Sequence, residues 1–287
     1  GGHCESSAMV NVLNYQGYSV SEPMVAGGGG APSFVLMGGE FPFIGGRSYD
    51  MREVFFKGSR IKWHVTRPKN NASPWEEIDG LLKQDTPVVL RVDMQFLPYL
   101  YGGNYGPPYM SFGWHMVALF GIDFQKGIAY VTDTDKEGLQ EIKLEDLEKA
   151  RFNKSRMFPP FGEYYWVEKK PKDYLLDWEF FTKNAIRKTI TNMESNMAKT
   201  DTGKTTEHEC LTGLEGIKKM AAQLENLDQF LPNAYLRPMI LDYWHGCIET
   251  NGTGGASFRV LFRDFLVHAD NKTKTVDLTG AINAANR

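Results

Sequence analysis

A chain of 287 residues is long enough for one large domain or two, and with 42% hydrophobic and 23% charged residues its composition is that of an ordinary globular protein. A net charge of −3 argues against a dedicated nucleic-acid binder or a polybasic membrane anchor. Three cysteines, Cys4, Cys210 and Cys247, form no close pair, which argues against a disulfide scaffold and for a reducing compartment. There is no CxxC or HExxH motif, no apolar run approaching a membrane span and no visible secretory leader. The expectation is a cytoplasmic protein needing no metal or redox cofactor, with neither nucleic acid nor membrane among its partners.

In chain order, residues 4–17 read as a helix that opens on Cys4 and closes at Asn14-Tyr15-Gln16-Gly17. Ser21-Glu22-Pro23 has the form of an N-cap with Pro close behind, starting a short helix that breaks at Gly27–Gly30. Four glycines hint at a phosphate loop, but no GKS or GKT follows. The better reading is backbone lying close to a ligand or to the active-site helix. A second glycine-rich segment, Gly38-Gly39 to Gly45-Gly46-Arg47, brackets Phe41, Phe43 and Ile44 and reads as a cleft wall or a surface loop. Residues 50–58 read as a helix and 61–65 as a strand. Ser73-Pro74-Trp75 is an N-cap with Pro at the first helical position, and the helix ends near Gln84. Residues 87–93 form a nearly continuous apolar run, a central strand.

The segment 94–114 is rich in Tyr, Gly and Pro and is too long for an ordinary connection, as expected of a functional lid or wall. His115–Ile122 and Ile128–Asp133 flank a short turn and predict an antiparallel hairpin. With residue 121 opposite 127, His115 faces Asp133; a shift of two makes Asp133 a diagonal neighbour on the same face. Residues 139–144 and 164–167 read as further strands and 145–151 as a helical turn. The charged, Pro-containing stretch 168–172 predicts a boundary between a domain over 1–171 and a helical bundle over 172–287, with helices over 173–199, 211–227, 233–248 and 256–269 and a polar loop at 200–207.

The chemistry centres on Cys4. A thiol in the first turn of a helix meets the positive end of the helix dipole, a setting that favours a nucleophile; a small buried hydrophobe is the plain alternative. A nucleophilic cysteine needs a base, and the base needs an orienter. His115 and Asp133 supply these roles, with Asp135 as second choice for the acid and a turn-capping role as the structural alternative for Asp133. The order Cys, His, acid is that of the papain-like variant of the triad. His3, His64, His208, His245 and His268 fit less well: His3 adjoins Cys4, His64 lacks an acid in its strand, and the others lie in the helical part.

Motifs along nearly the whole chain resemble the butirosin biosynthesis protein H (BtrH) type. They are Gly2-His3-Cys4-Glu5-Ser6-Ser7, Ser21-Glu22-Pro23-Met24 followed by Gly27–Gly30, and Phe43-Ile44-Gly45-Gly46-Arg47. They continue with Val92-Asp93, Leu97-Pro98-Tyr99, Gly113-Trp114-His115, Tyr130–Asp133 and Ala150-Arg151, and in the helical part with Gly254-Gly255, Phe258-Arg259 and Phe265-Leu266. The resemblance implies an α+β protein: a papain-like, cysteine-peptidase-type fold, with an N-terminal helix packed on an antiparallel sheet, followed by a C-terminal helical domain. It implies acyl transfer from a thioester donor, a carrier protein or coenzyme A, to a small-molecule amine. Cys4 would carry the acyl group, His115 the proton, and Asp133 would orient His115; the Cys4 backbone N–H would help bind the oxyanion. Substrate contacts are expected at Gly28, Gly29, Arg47, Tyr99 and Trp114. Papain-like enzymes commonly place a Gln upstream of the cysteine as a second oxyanion donor, and none of the three residues before Cys4 is Gln. The alternatives are a papain-like peptidase or amidohydrolase with the same triad, and a non-catalytic binding protein.

Overall fold

The computed structural model describes residues 1–38, 42–68, 75–154, 158–195 and 210–286. Expectations for Gly39, Phe41, Ser73-Pro74, the loop 200–207 and His208 lie outside the described residues. The elements run α1 (Cys4–Tyr15), α2 (Glu22–Gly28), β1 (Val35–Met37), β2 (Phe43–Gly45), α3 (Met51–Ser59) and β3 (Trp63–Thr66). Next come α4 (Glu76–Lys83), β4 (Val88–Val92), β5 (His115–Asp123), β6 (Ile128–Thr132), β7 (Gln140–Lys143), α5 (Leu144–Phe152) and β8 (Tyr164–Val167). The remainder is α6 (Trp178–Glu194), β9 (Cys210–Thr212), α7 (Gly213–Glu225), α8 (Leu227–Phe230), α9 (Leu236–Glu249), α10 (Arg259–Asp270) and α11 (Thr279–Ala285).

These elements form two compact units, Gly1–Ser21 with Ile61–Tyr174, and Glu22–Arg60 with Leu175–Arg287. The expected boundary at 171/172 falls close to the chain's last passage between units, but residues 22–60 belong with the C-terminal part, where the expectation had put them in the first domain. The cause is packing: α2 lies against α10, and α3 against α6.

The first unit is a six-stranded antiparallel sheet in the order β3-β8-β4-β5-β6-β7. All five residues of β4 are buried, as expected of a nearly continuous apolar run, and Arg91 is buried with them. Val88, Leu90 and Val92 of β4 share a core with Val117 and Leu119 of β5, Val131 of β6, Ile78 of α4, and Leu147 and Ala150 of α5. Helix α1 packs on β4, β5 and β8, burying Met9, Val12 and Leu13.

The hairpin register differs from the first expectation. Gly121 pairs with Tyr130, not residue 127, and an irregularity at Phe120 returns the pairing to Ala118 opposite Thr132. The turn is set by Asp123, whose Oδ1 accepts from the N–H groups of Gln125 and Lys126 at 3.0 Å, and by Gly127 at φ +66°. Beyond the irregularity Asp133 is one diagonal step from His115, on the same face.

The second unit carries the C-terminal helices together with a three-stranded antiparallel sheet, β2-β1-β9, whose strands of three residues each are too short to show alternation. β9 occupies the start of the segment expected to be helical from Leu211. Phe34, Leu36, Ile44, Ile240 and Trp244 form a core here, and Trp244 Nε1 donates to Pro42 O at 3.2 Å.

In this unit the glycine run 27–29 serves helix packing. A Cβ on Gly27 would lie 2.3 Å from Phe265 Cβ, one on Gly28 2.0 Å from Phe181 Cζ, and one on Gly29 2.2 Å from Met51 Cγ. Gly28→Ala is therefore expected to destabilise the protein by about 1–3 kcal/mol, as overpacking does. Thermal melting reads this; an unchanged melting temperature with weakened substrate binding would instead favour a ligand role for this glycine.

Candidate active site

Cys4 is the first residue of α1, where backbone N–H groups lack intrahelical acceptors. The helix start is fixed by His3: its backbone is extended (φ −142°, ψ 135°) and its Nδ1 accepts from Ser6 N at 3.2 Å. An imidazole thus takes the N-cap place usually held by Ser, Thr, Asp or Asn, which accounts for the histidine beside the cysteine. The partly buried Cys4 Sγ lies 3.9 Å from Trp114 O, and Cys4 is close enough to His115 to help hold its imidazole protonated.

His115, at the start of β5, is buried, and its Nε2 donates to Asp133 Oδ1 at 2.9 Å and Oδ2 at 3.0 Å. With Nε2 so engaged, Nδ1 is the ring nitrogen left for the thiol. Asp133 just beyond β6 also accepts from Thr134 N on Oδ1 at 2.6 Å and from the Tyr99 hydroxyl on Oδ2 at 2.8 Å. Burial alone would depress the imidazole, but the Asp133 charge, the Asp133 hydrogen bond and Cys4 outweigh it and push His115 up to about 10. Burial likewise works against the Asp133 carboxylate; the His115 charge and the bonds from His115, Tyr99 and Thr134 prevail and hold it below the usual carboxylate range.

The structure thus brings Cys4, His115 and Asp133 together. Asp135 is exposed in the following turn. His64 does find an acid, Glu168 at 2.9 Å, but this pair is exposed and stacked on Trp166. His245 and His268 are exposed on helices of the second unit.

The expected substrate residues fare differently. Tyr99 lends its hydroxyl to Asp133, and its ring packs against the first unit's core. The Trp114 carbonyl faces the Cys4 thiol, and its ring lies 5.0 Å from the Arg91 guanidinium and 5.2 Å from Phe158. Gly28 and Gly29 are the packing glycines above. Arg47 belongs to the second unit, where its charge acts on Tyr49 and Asp50.

Two residues that position the site were not singled out for that role from sequence. Arg91 in β4 is buried, donating from Nε to Gly113 O at 3.0 Å and from Nη2 to Phe158 O at 3.4 Å. Gly113 itself passes so close to Phe158 that a Cβ would lie 2.3 Å from its carbonyl. Asp93 is fully buried and saturated: Oδ1 accepts from Gln95 N and Phe112 N at 3.0 Å, and Oδ2 from Ser111 Oγ at 2.6 Å and Asn153 Nδ2 at 2.7 Å. It therefore staples both feet of the 94–114 loop directly before His115. A charged residue within or directly after an apolar central strand was the available signal in each case.

Among the described residues, no cluster of three His, Cys, Asp or Glu side chains is placed to hold a metal ion, and no helix is long and apolar enough to cross a membrane.

A cysteine heading a helix, a histidine opening a strand and an aspartate just beyond the end of the neighbouring strand, on an antiparallel sheet, have the arrangement of the papain-like cysteine-enzyme family. Residues 3–134 match the family model for butirosin biosynthesis protein H, N-terminal, and constitute a domain of that family. Residues 145–287 match a domain of unknown function, DUF4872. Among solved structures, a Bacillus anthracis protein described as a C39-like peptidase aligns with 17% identity and a TM-score of 0.41, over 60% of this chain and 90% of that one. No curated protein matches the sequence.

Proposed function

We propose that the protein is an acyltransferase, taking an acyl group from a thioester donor onto Cys4 and passing it to the amine of a small molecule in secondary-metabolite biosynthesis. The observation that carries this is the continuous line from the Cys4 thiol through His115 to Asp133 at the N-terminus of α1. The family description, butirosin biosynthesis protein H, supports a biosynthetic role.

In the first half-reaction the Cys4 thiolate attacks the donor's carbonyl carbon, forming an Sγ–C bond. Negative charge develops on the carbonyl oxygen, to which the Cys4 backbone N–H, at the helix start, would donate. The carbon–sulfur bond to the donor breaks, and the His115 imidazolium gives its Nδ1 proton to the departing thiolate. In the second half an amine attacks the Cys4 thioester, His115 takes up its proton, and Cys4 leaves as thiolate. Asp133 keeps the imidazolium oriented throughout. The donor is a carrier protein or coenzyme A. The aromatic composition of the 94–114 loop favours a shielded site, which would disfavour water as acceptor.

The test follows the fate of an acylated Cys4. The protein is loaded from a panel of small acyl thioesters, and the adduct's decay is timed by intact-protein mass with and without added amines. Transfer predicts faster discharge with amine and appearance of the amide. Equal decay in buffer alone marks a hydrolase, and failure of every donor to acylate an otherwise reactive thiol contradicts the thioester reading.

A further inference from the structure

We infer that Tyr99 is a positioning residue: its hydroxyl holds the Asp133 carboxylate in the orientation His115 uses, tying the aromatic 94–114 loop to the catalytic pair. This rests on the reading of Cys4, His115 and Asp133 given above and replaces the expected substrate contact at Tyr99.

Each Asp133 oxygen has one donor besides His115. For Oδ1 it is Thr134 N, a neighbour in sequence; for Oδ2 it is the Tyr99 hydroxyl at 2.8 Å, delivered from 34 residues away. Together the two donors fix the carboxylate so that both oxygens stay within 3.0 Å of His115 Nε2. A hydroxyl donating to a charged carboxylate makes one of the stronger hydrogen bonds.

The loop does not depend on this bond for its own position. Asp93 accepts from both its feet, Met94 N donates to Phe112 O at 3.2 Å, and Gly106 N donates to Gln95 O at 2.8 Å. Leu97 is fully buried in the core, and Tyr105 is bonded to Asp146 and to Lys149 on α5. Tyr99 is thus held out by a fixed scaffold. Burial, then the nearby Asp133 charge, keeps it protonated far above neutral pH, so it remains a donor. The other titratable or charged groups around Asp133 are His115, Tyr101 on the same loop, and the Gly1 amino group, which donates to Thr134 O at 2.7 Å.

Tyr99→Phe in the full chain removes the hydroxyl and keeps the ring. The first readout is the downfield proton-NMR signal of the His115 Nε2 proton, followed as pH falls until Asp133 takes up a proton. The Tyr99 bond favours the charged carboxylate, so its loss moves that acid midpoint to higher pH, by about half a unit to one unit. The second is alkylation of Cys4 by iodoacetamide at neutral pH, expected to slow about fivefold in Tyr99→Phe and to show no further slowing when Tyr99→Phe is added to Asp133→Ala. An unchanged midpoint, or the same fivefold loss in both backgrounds, overturns the assignment. A wild-type Cys4 no more reactive than a free thiol, with the midpoint shift still present, would sink the acyltransferase reading and leave the role of Tyr99 standing.

Discussion

Cys4→Ala is expected to abolish acyl-adduct formation and to lower turnover by about 10⁴-fold or more, the scale seen when a covalent nucleophile is removed. Cys4 lies in the first unit. Cys210 and Cys247 belong to the second unit, and Cys247 is raised by burial and bonded to Tyr243. The fold should be indifferent to the change. Cys4 is only partly buried, it occupies the first position of a helix, and Ala is the best helix former. A circular-dichroism melt matching wild type, alongside a mass spectrum with no acyl adduct, is the expected pair of results. Wild-type turnover by Cys4→Ala would end the mechanism, whatever the substrate.

His115→Ala is expected to cost about 10² to 10⁴ in turnover, the usual range for a proton-transfer residue. The pH dependence carries the same information in wild type. The folded protein holds His115 up to about 10, above the imidazole's ordinary 6.5. A group raised on folding stabilises the protein fully below its ordinary value, and that stabilisation is lost as pH rises through the folded value. Both activity and the His115 share of stability should therefore hold through neutral pH and fall as pH approaches about 10. Asp133 is depressed, so its contribution is present above the ordinary carboxylate value and is lost as pH falls through the depressed one. His115→Ala should remove the alkaline loss of stability near 10, measured as melting temperature against pH, while leaving an acid loss. A wild-type profile that declines near 6.5 would show that Asp133 does not hold the imidazolium.

The triad was legible because each member sits at a punctuated place in the sequence. Cys4 opens an apolar helical pattern, His115 follows the Gly- and Pro-rich loop at the start of an alternating strand, and Asp133 ends the next strand. Strand periodicity put His115 and Asp133 on one face, and that is independent of register by any even shift. Beside the site the pairing is the shifted register, Ala118 opposite Thr132, but at the turn Gly121 pairs with Tyr130, an odd offset that the irregularity at Phe120 corrects and that has no sequence mark, since Phe120-Gly121 reads as ordinary strand. β1, β2 and β9 were missed because three residues carry no period, and their pairing joins Leu36 to Leu211 across most of the chain. The same long-range pairing, with α2 on α10, draws residues 22–60 into the second unit. The glycines at 27–29 were read for their backbone, whereas their use is the space left for Phe265, Phe181 and Met51. Asp93, Arg91 and the hydroxyl of Tyr99 act through bonds to a loop whose path no local pattern dictates.

The most direct test of the central claim, that Cys4 is activated by His115, needs no substrate. Iodoacetamide is reacted with wild type and His115→Ala at neutral pH, and labelling is mapped by peptide mass at Cys4, Cys210 and Cys247, the latter two serving as internal references. In wild type Cys4 should react at least about tenfold faster than Cys247 and faster than a free thiol, and in His115→Ala that advantage should disappear. Equal labelling of the three cysteines in wild type, or a Cys4 rate untouched by loss of the imidazole, would contradict the account.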